Sequence, residues 1–217
     1  MFSIFGKPWY LRLLLFSMFF ICCFMALFFL CQGQSRPVMF DQWVIDLLDT
    51  VQFVVLVNIS KFFSIIGGKL IWLWIAIVAI VLFFIKKKKE LTFYFLGANI
   101  LVALLTVIFK FFGHRARPLD DITVAHQYSF PSGHTACSVV FFGLLIWLAP
   151  VLIKNKYWQV ATRVFCVVAM IMVPFSRVFL QWHYSTDVMG GYFLGVAVLM
   201  GVIFIYRLYS KGDTLNA

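Results

Sequence analysis

Charge is scarce in this chain, and acidic charge scarcest of all. Only 12% of the 217 residues are charged, with eight Asp or Glu against eighteen Lys or Arg. A soluble domain carries roughly twice that share of charge and about 45–50% apolar residues. Here 64% are hydrophobic, and twenty-seven are Phe. The deficit excludes a water-soluble globule and leaves an integral membrane protein, with one compact helical domain expected over 1–217. Internal repeats, low-complexity tracts and an extramembrane domain are missing as well. The five cysteines, Cys22, Cys23, Cys31, Cys137 and Cys166, lack zinc-ligand spacing and lie in or beside apolar runs. They read as small packing residues and say nothing about redox compartment. No carboxylate cluster suits Mg²⁺, so neither metal nor cofactor is expected. The net charge of +10 does not gather on one soluble face. It lies largely in short clusters at the ends of apolar runs, as membrane topology and anionic headgroups favour, so nucleic acid is not an expected partner.

What the chain does have is long apolar runs. A span needs roughly 20 mostly apolar residues, and six stretches qualify: 11–31, 63–85, 91–110, 135–153, 160–176 and 187–207. The first follows Lys7 and Arg12, exceeds the usual length of a signal-peptide core and lacks a small-residue cleavage site, so it is read as an uncleaved helix. Residues 41–60 carry Asp41, Asp46 and Asp49, with Trp43, Leu47, Leu48 and Val51 recurring at helical spacing. They are expected to form an amphipathic helix on the membrane surface, with a seventh span as the rival. The fold class is therefore all-α: a six-helix membrane bundle with an interfacial helix in the first outer loop.

Positive charge orients it. With the N-terminus inside, the cytoplasmic face receives Lys7, Arg12, Lys86 to Lys89, Lys154, Lys156, Arg163, Arg207 and Lys211. The outer face keeps Arg36, Lys61, Lys69 and Arg115, apart from Lys110, Arg117 and Arg177. That bias places both termini in the cytoplasm.

Three polar clusters stand out against this background. The first is Lys110, six residues, then Arg117-Pro118. The second is Pro131-Ser132-Gly133-His134. The third is Ser176-Arg177, five residues, His183, three residues, Asp187. The first two lie between spans three and four and the third between spans five and six. Two crossings separate those loops, so all three clusters share one side of the membrane in either orientation.

Their chemistry is that of a phosphate site. His183 and Asp187 are one helical turn apart, so a helix would put them on one face. A carboxylate on one imidazole nitrogen fixes the tautomer and leaves the other nitrogen free. Spacing alone suits His183 equally as nucleophile and as general base. Lys110 and Arg117 are about two turns apart, on one face if the helix reaches Pro118, which would stop it. Arginine forks match phosphate oxygens, while lysine acts as a point charge. Ser132 reads as the N-cap of span four, whose free N–H groups would attract an anion, and Gly133 permits close approach. His134 then becomes a candidate acid for a leaving oxygen. Each cluster alone has an ordinary explanation, as a snorkelling cation or a capped helix. Their joint order and spacing do not. His114 and Arg115 are read as interfacial, with headgroup contact as the alternative. Asp120 and Asp121 read as loop solvation, His126 as a loop histidine, and Trp182 and Tyr184 as interfacial aromatics.

All three motifs resemble the signature of the type 2 phosphatidic acid phosphatase superfamily, in order and without departure. The resemblance implies a multi-pass membrane phosphatase, acting without metal on a lipid phosphate or diphosphate such as undecaprenyl diphosphate, phosphatidylglycerophosphate or phosphatidate. A bacterial cell membrane, with the site facing outward among membrane lipids, is the expected setting. It also implies roles. His183 would attack phosphorus and form a phosphohistidine, with Asp187 orienting it. His134 would protonate the leaving oxygen and then activate water. Lys110, Arg117, Arg177, Ser132 and the Gly133 backbone would hold the phosphoryl oxygens. A lipid phosphotransferase would use the same residues. In another class, the alternative is a non-catalytic lipid-phosphate binder or transporter, which the complete set of motif residues disfavours.

Overall fold

In a bilayer the backbone of an apolar run has no partner but itself, so it folds as a helix. The computed structural model follows that rule over the residues it describes, which are 8–33, 38–51, 53–85, 89–118 and 128–209. Those residues form only helices and connections: α1 (Pro8–Cys31), α2 (Met39–Asp49), α3 (Val54–Ile66), α4 (Lys69–Ile80), α5 (Lys89–Gly113), α6 (Gly133–Leu152), α7 (Lys156–Phe179) and α8 (Ser185–Tyr209). A π-turn, Val81–Ile85, extends α4. Lys7, Arg36, Lys86 to Lys88, Asp120, Asp121, His126 and Lys211 lie outside the described residues.

Among the described residues five helices, α1 and α5 to α8, are long and apolar enough to cross a membrane. The protein is thus a multi-pass membrane protein. Two expectations need correction. The run 63–85 is not one straight helix. It breaks at Gly67-Gly68, and α3 and α4 meet at a bend of 45°. The break is packed rather than loose, because a Cβ on Gly67 would lie 2.2 Å from the Val173 side chain of α7. Nor is 41–60 one helix. Thr50 Oγ1 donates to Leu47 O at 2.7 Å and closes α2, and extended Phe53 opens α3.

α6 is the most buried of the spans and lies against α5, α7 and α8, while α1 runs along α8 and α3 along α7. Close approach depends on missing side chains, as is common between membrane helices. A Cβ on Gly195 of α8 would sit 2.8 Å from Val139 Cβ, and one on Gly191 would sit 2.6 Å from Ser132 O. These glycines bring the N-terminal halves of α8 and α6 together. Beneath them Phe24 stacks on Phe130 at 5.8 Å and meets Phe109 edge-on at 4.6 Å. This aromatic floor supports the Pro131 turn.

Candidate active site

The third cluster forms where α7 reverses into α8. Leu180 ends α7, Gln181 takes a left-handed φ of 55°, and the N–H groups of Trp182 and His183 both donate to Arg177 O. His183 therefore precedes α8 instead of lying on it, one turn short of the helix the spacing suggested. Its pairing with Asp187 survives: Nδ1 is 3.3 Å from Asp187 Oδ2, and both residues are buried. Asp187 also accepts from Tyr184 N at 2.9 Å, an acid of the first turn reaching back to cap its own helix. Burial lowers the His183 pKa to about 4, against an upward pull from Asp187, so the imidazole is neutral at ordinary pH.

The second cluster opens α6. Ser132 occupies the N-cap position, but its side chain caps no helix N–H. Its Oγ accepts from Thr135 Oγ1 at 3.0 Å, while its N–H donates to Asp187 O. That last bond ties the second cluster to the third.

The first cluster departs from expectation. α5 ends at Gly113 because His114 adopts φ 46°, so Arg117 is off the helix and shares no helical face with Lys110. Residues 114–117 instead run beside 128–129, with Ser129 N donating to Arg115 O and Ser129 Oγ to Ala116 O. Arg117 reaches the site through this detour, and its Nη1 donates to Trp182 O at 3.2 Å. Lys110 Nζ donates to the carbonyls of Tyr128 and Ser129.

These elements enclose a cavity of about 240 Å³ lined by Lys110, Arg117, Gly133, His134 and His183 on its polar side. Gly68, Ile71, Trp72, Ala103 and Cys137 are among its other walls. His134 lies within electrostatic range of Arg177, His183, Lys110 and Arg117. Asp187 and Ser132 are buried behind this lining. Arg177 is also set back, 1% exposed, with Nη2 on Ser64 O at 3.2 Å and its guanidinium over the Trp182 ring. Its Nε and Nη1 have no hydrogen-bond partner among the described residues. No group of three His, Cys, Asp or Glu is placed to hold a metal among those residues.

Sequence reasoning missed one part of the site. Arg115 is not interfacial. It is fully buried, with Nη1 2.6 Å from Asp187 Oδ1 and Nη2 2.6 Å from Asp41 Oδ2. Tyr184 is buried too, beneath the Arg115 guanidinium at 4.4 Å. Asp41, read as a surface acid of an amphipathic helix, is the buried partner that draws Arg115 inward. Spacing carried no signal for this pairing, since α2 is 74 residues from Arg115.

The match to known proteins follows the same residues. The PAP2 superfamily model matches residues 91–211, which contain all three clusters. The chain is 27% identical over 175 residues to lipid A 4'-phosphatase of Porphyromonas gingivalis, covering 73% of this chain and 70% of that protein. It is 22% identical over 170 residues to undecaprenyl-diphosphatase of Sulfolobus acidocaldarius, covering 75% and 77%. Over 99 residues it is 32% identical to phosphatidylglycerophosphatase B of Bacillus subtilis, covering 43% and 47%. Its fold is like the crystal structure of a transmembrane PAP2 type phosphatidylglycerolphosphate phosphatase from Bacillus subtilis, with a TM-score of 0.77 at 20% identity over 91% of this chain and 98% of that one. With the family model spanning more than half its length, the chain belongs to the PAP2 superfamily.

Proposed function

We propose that the protein is a membrane phosphatase that hydrolyses a lipid phosphate or diphosphate through a phosphohistidine on His183. The observation that carries this reading is one cavity with Lys110, Arg117, His134 and His183 in its wall and Asp187 behind His183. Phosphoryl transfer needs cations on the phosphoryl oxygens, an in-line nucleophile and an acid for the leaving group. With Nδ1 turned to Asp187, His183 offers Nε2 to phosphorus. Lys110, Arg117 and Arg177 hold the phosphoryl oxygens, and the unpartnered Nε and Nη1 of Arg177 suit that task. The N–H groups opening α6 at Gly133 assist, with Ser132 behind them. His134 protonates the leaving oxygen and then activates the water that releases phosphate. No step is assigned to a metal.

In this reading the chain is one domain of six spans, with α3 and α4 together forming the second and α2 lying at the interface. Positive charge keeps both termini in the cytoplasm and the cavity at the outer headgroup level. The tail stays in lipid while the phosphate enters. The relatives are named for three different lipids, whose shared feature is a phosphate on an apolar anchor. Undecaprenyl diphosphate is the first candidate to test. The test is phosphate release by purified protein in EDTA across undecaprenyl diphosphate, phosphatidylglycerophosphate, phosphatidate and lipid A. Release from at least one supports the reading. Binding without release argues for a lipid-phosphate carrier, and label transferred to an added lipid acceptor argues for a phosphotransferase.

A further inference from the structure

Two buried charges remain without a role in this scheme. Asp41 Oδ1 accepts from Thr186 N at 2.9 Å, and Oδ2 accepts from Thr186 Oγ1 at 2.8 Å. Thr186 Oγ1 in turn accepts from Arg115 Nη1 at 2.7 Å, the nitrogen that also donates to Asp187 Oδ1. The side chains of Asp41, Arg115 and Asp187 are all fully buried. Such a cluster is costly to desolvate, and a well-packed apolar substitute would often be no less stable. Its position is informative: it ends on the carboxylate that holds the nucleophile.

We propose that Asp41 and Arg115 are positioning residues for His183, so that the outer helix α2 is a working part of the active site. The inference rests on the reading of His183 as nucleophile. Arg115 occupies Oδ1 of Asp187 and leaves Oδ2 for His183 Nδ1, which fixes the ring. Charge supplies the second half of the argument. Two carboxylates and one guanidinium leave one net negative charge behind a neutral imidazole. When Nε2 bonds to phosphorus and the leaving oxygen departs with its electron pair, Nδ1 keeps its proton and the ring becomes cationic. The excess negative charge is then matched. Without Asp41, the Arg115–Asp187 pair is neutral and the ring's charge is met less well. Without Arg115, two carboxylates share a dry site, and one of them must take up a proton. Without both, Asp187 again stands alone as an anion beside His183.

That ordering is testable with undecaprenyl diphosphate in detergent micelles, following phosphate release. Asp41→Asn should lower kcat roughly 10- to 100-fold, as loss of an outer partner typically does, with KM within about twofold. Arg115→Gln should lose more. The double variant Asp41→Asn/Arg115→Gln should be at least roughly threefold more active than Arg115→Gln alone, a coupling expected of contacting charges. A structural role alone would show the same ordering in the midpoint of thermal unfolding and leave kcat per folded molecule unchanged. If Arg115→Gln does not fold, Asp41→Asn decides alone. Wild-type kcat in Asp41→Asn, a rise in KM that accounts for its loss, or a double variant no better than Arg115→Gln would overturn the proposal. His183→Ala, run alongside, separates the two readings. Activity there sinks the phosphohistidine itself, whereas an inactive His183→Ala beside a wild-type-like Asp41→Asn sinks only the role of α2.

Discussion

The two sides of the cavity are held by opposite means. On the nucleophile side a carboxylate is gripped by a cation: Asp187 is bound by Arg115, which is bound in turn by Asp41. On the phosphate side Lys110, Arg117 and Arg177 are steadied by main-chain carbonyls, from Tyr128 and Ser129, Trp182 and Ser64. A carbonyl directs a cation without cancelling its charge, whereas a carboxylate does cancel it. In the proposed mechanism one side is a finished mount for a histidine, with one excess negative charge set to meet the cation the ring becomes. The other, in the same mechanism, turns Lys110 and Arg177, which have no carboxylate partner among the described residues, toward an incoming anion.

The largest expected effect breaks the nucleophile side. His183→Ala should cost roughly six orders of magnitude in turnover, the scale of losing the nucleophile of a triad, with the helical circular dichroism unchanged. Breaking the phosphate side should cost less. Arg177→Ala removes one charged donor and should lower kcat roughly 10²- to 10³-fold in steady-state assays. If it matched His183→Ala, the division between mount and anion site would be wrong. A smaller effect is expected from the wall between the sides. A Cβ on Gly68 would meet Ser64 O at 2.7 Å and His134 Nε2 at 3.3 Å. Displacing His134 by part of an ångström through Gly68→Ala should slow turnover about tenfold and leave binding of a substrate analogue nearly intact.

The least disruptive probe is pH. An exposed histidine titrates near about 6.5, but burial holds His183 at about 4. As the proposed nucleophile His183 acts in its neutral form, so protonation on the acid side is what removes activity. After correction for the ionisation of the substrate and for the proton His134 must carry, the acid limb of kcat/KM due to His183 should lie at about 4. A limb assigned to His183 near neutrality would show that the site is wetter than the packing around Asp187 allows.

The polar lining of the cavity was largely legible in the sequence, as particular residue types at fixed spacing. Lys110, Arg117, Gly133, His134 and His183 all reach one cavity. Less legible was how they reach it. The reversal at His114 depends on one backbone angle, and the break at Gly67-Gly68 is hidden inside an apolar run that hydropathy reads as continuous. The mount was illegible. Arg115 looked like one more interfacial cation, and Asp41 like one acid of three on a surface helix. Only the folding of α2 onto the start of α8 puts Asp41 within 2.9 Å of Thr186 N and gives Arg115 a buried partner. Pairings between distant segments follow from tertiary packing, and no local period encodes them.

The measurement that tests the central claim most directly is capture of the covalent intermediate. Purified protein would be mixed with substrate radiolabelled on the transferred phosphoryl group and quenched in alkali, where phosphohistidine survives, and the labelled peptide sequenced. The account predicts label on His183, absent from His183→Ala. Rapid turnover without protein-bound label at any quench time, or label on His134, would contradict it.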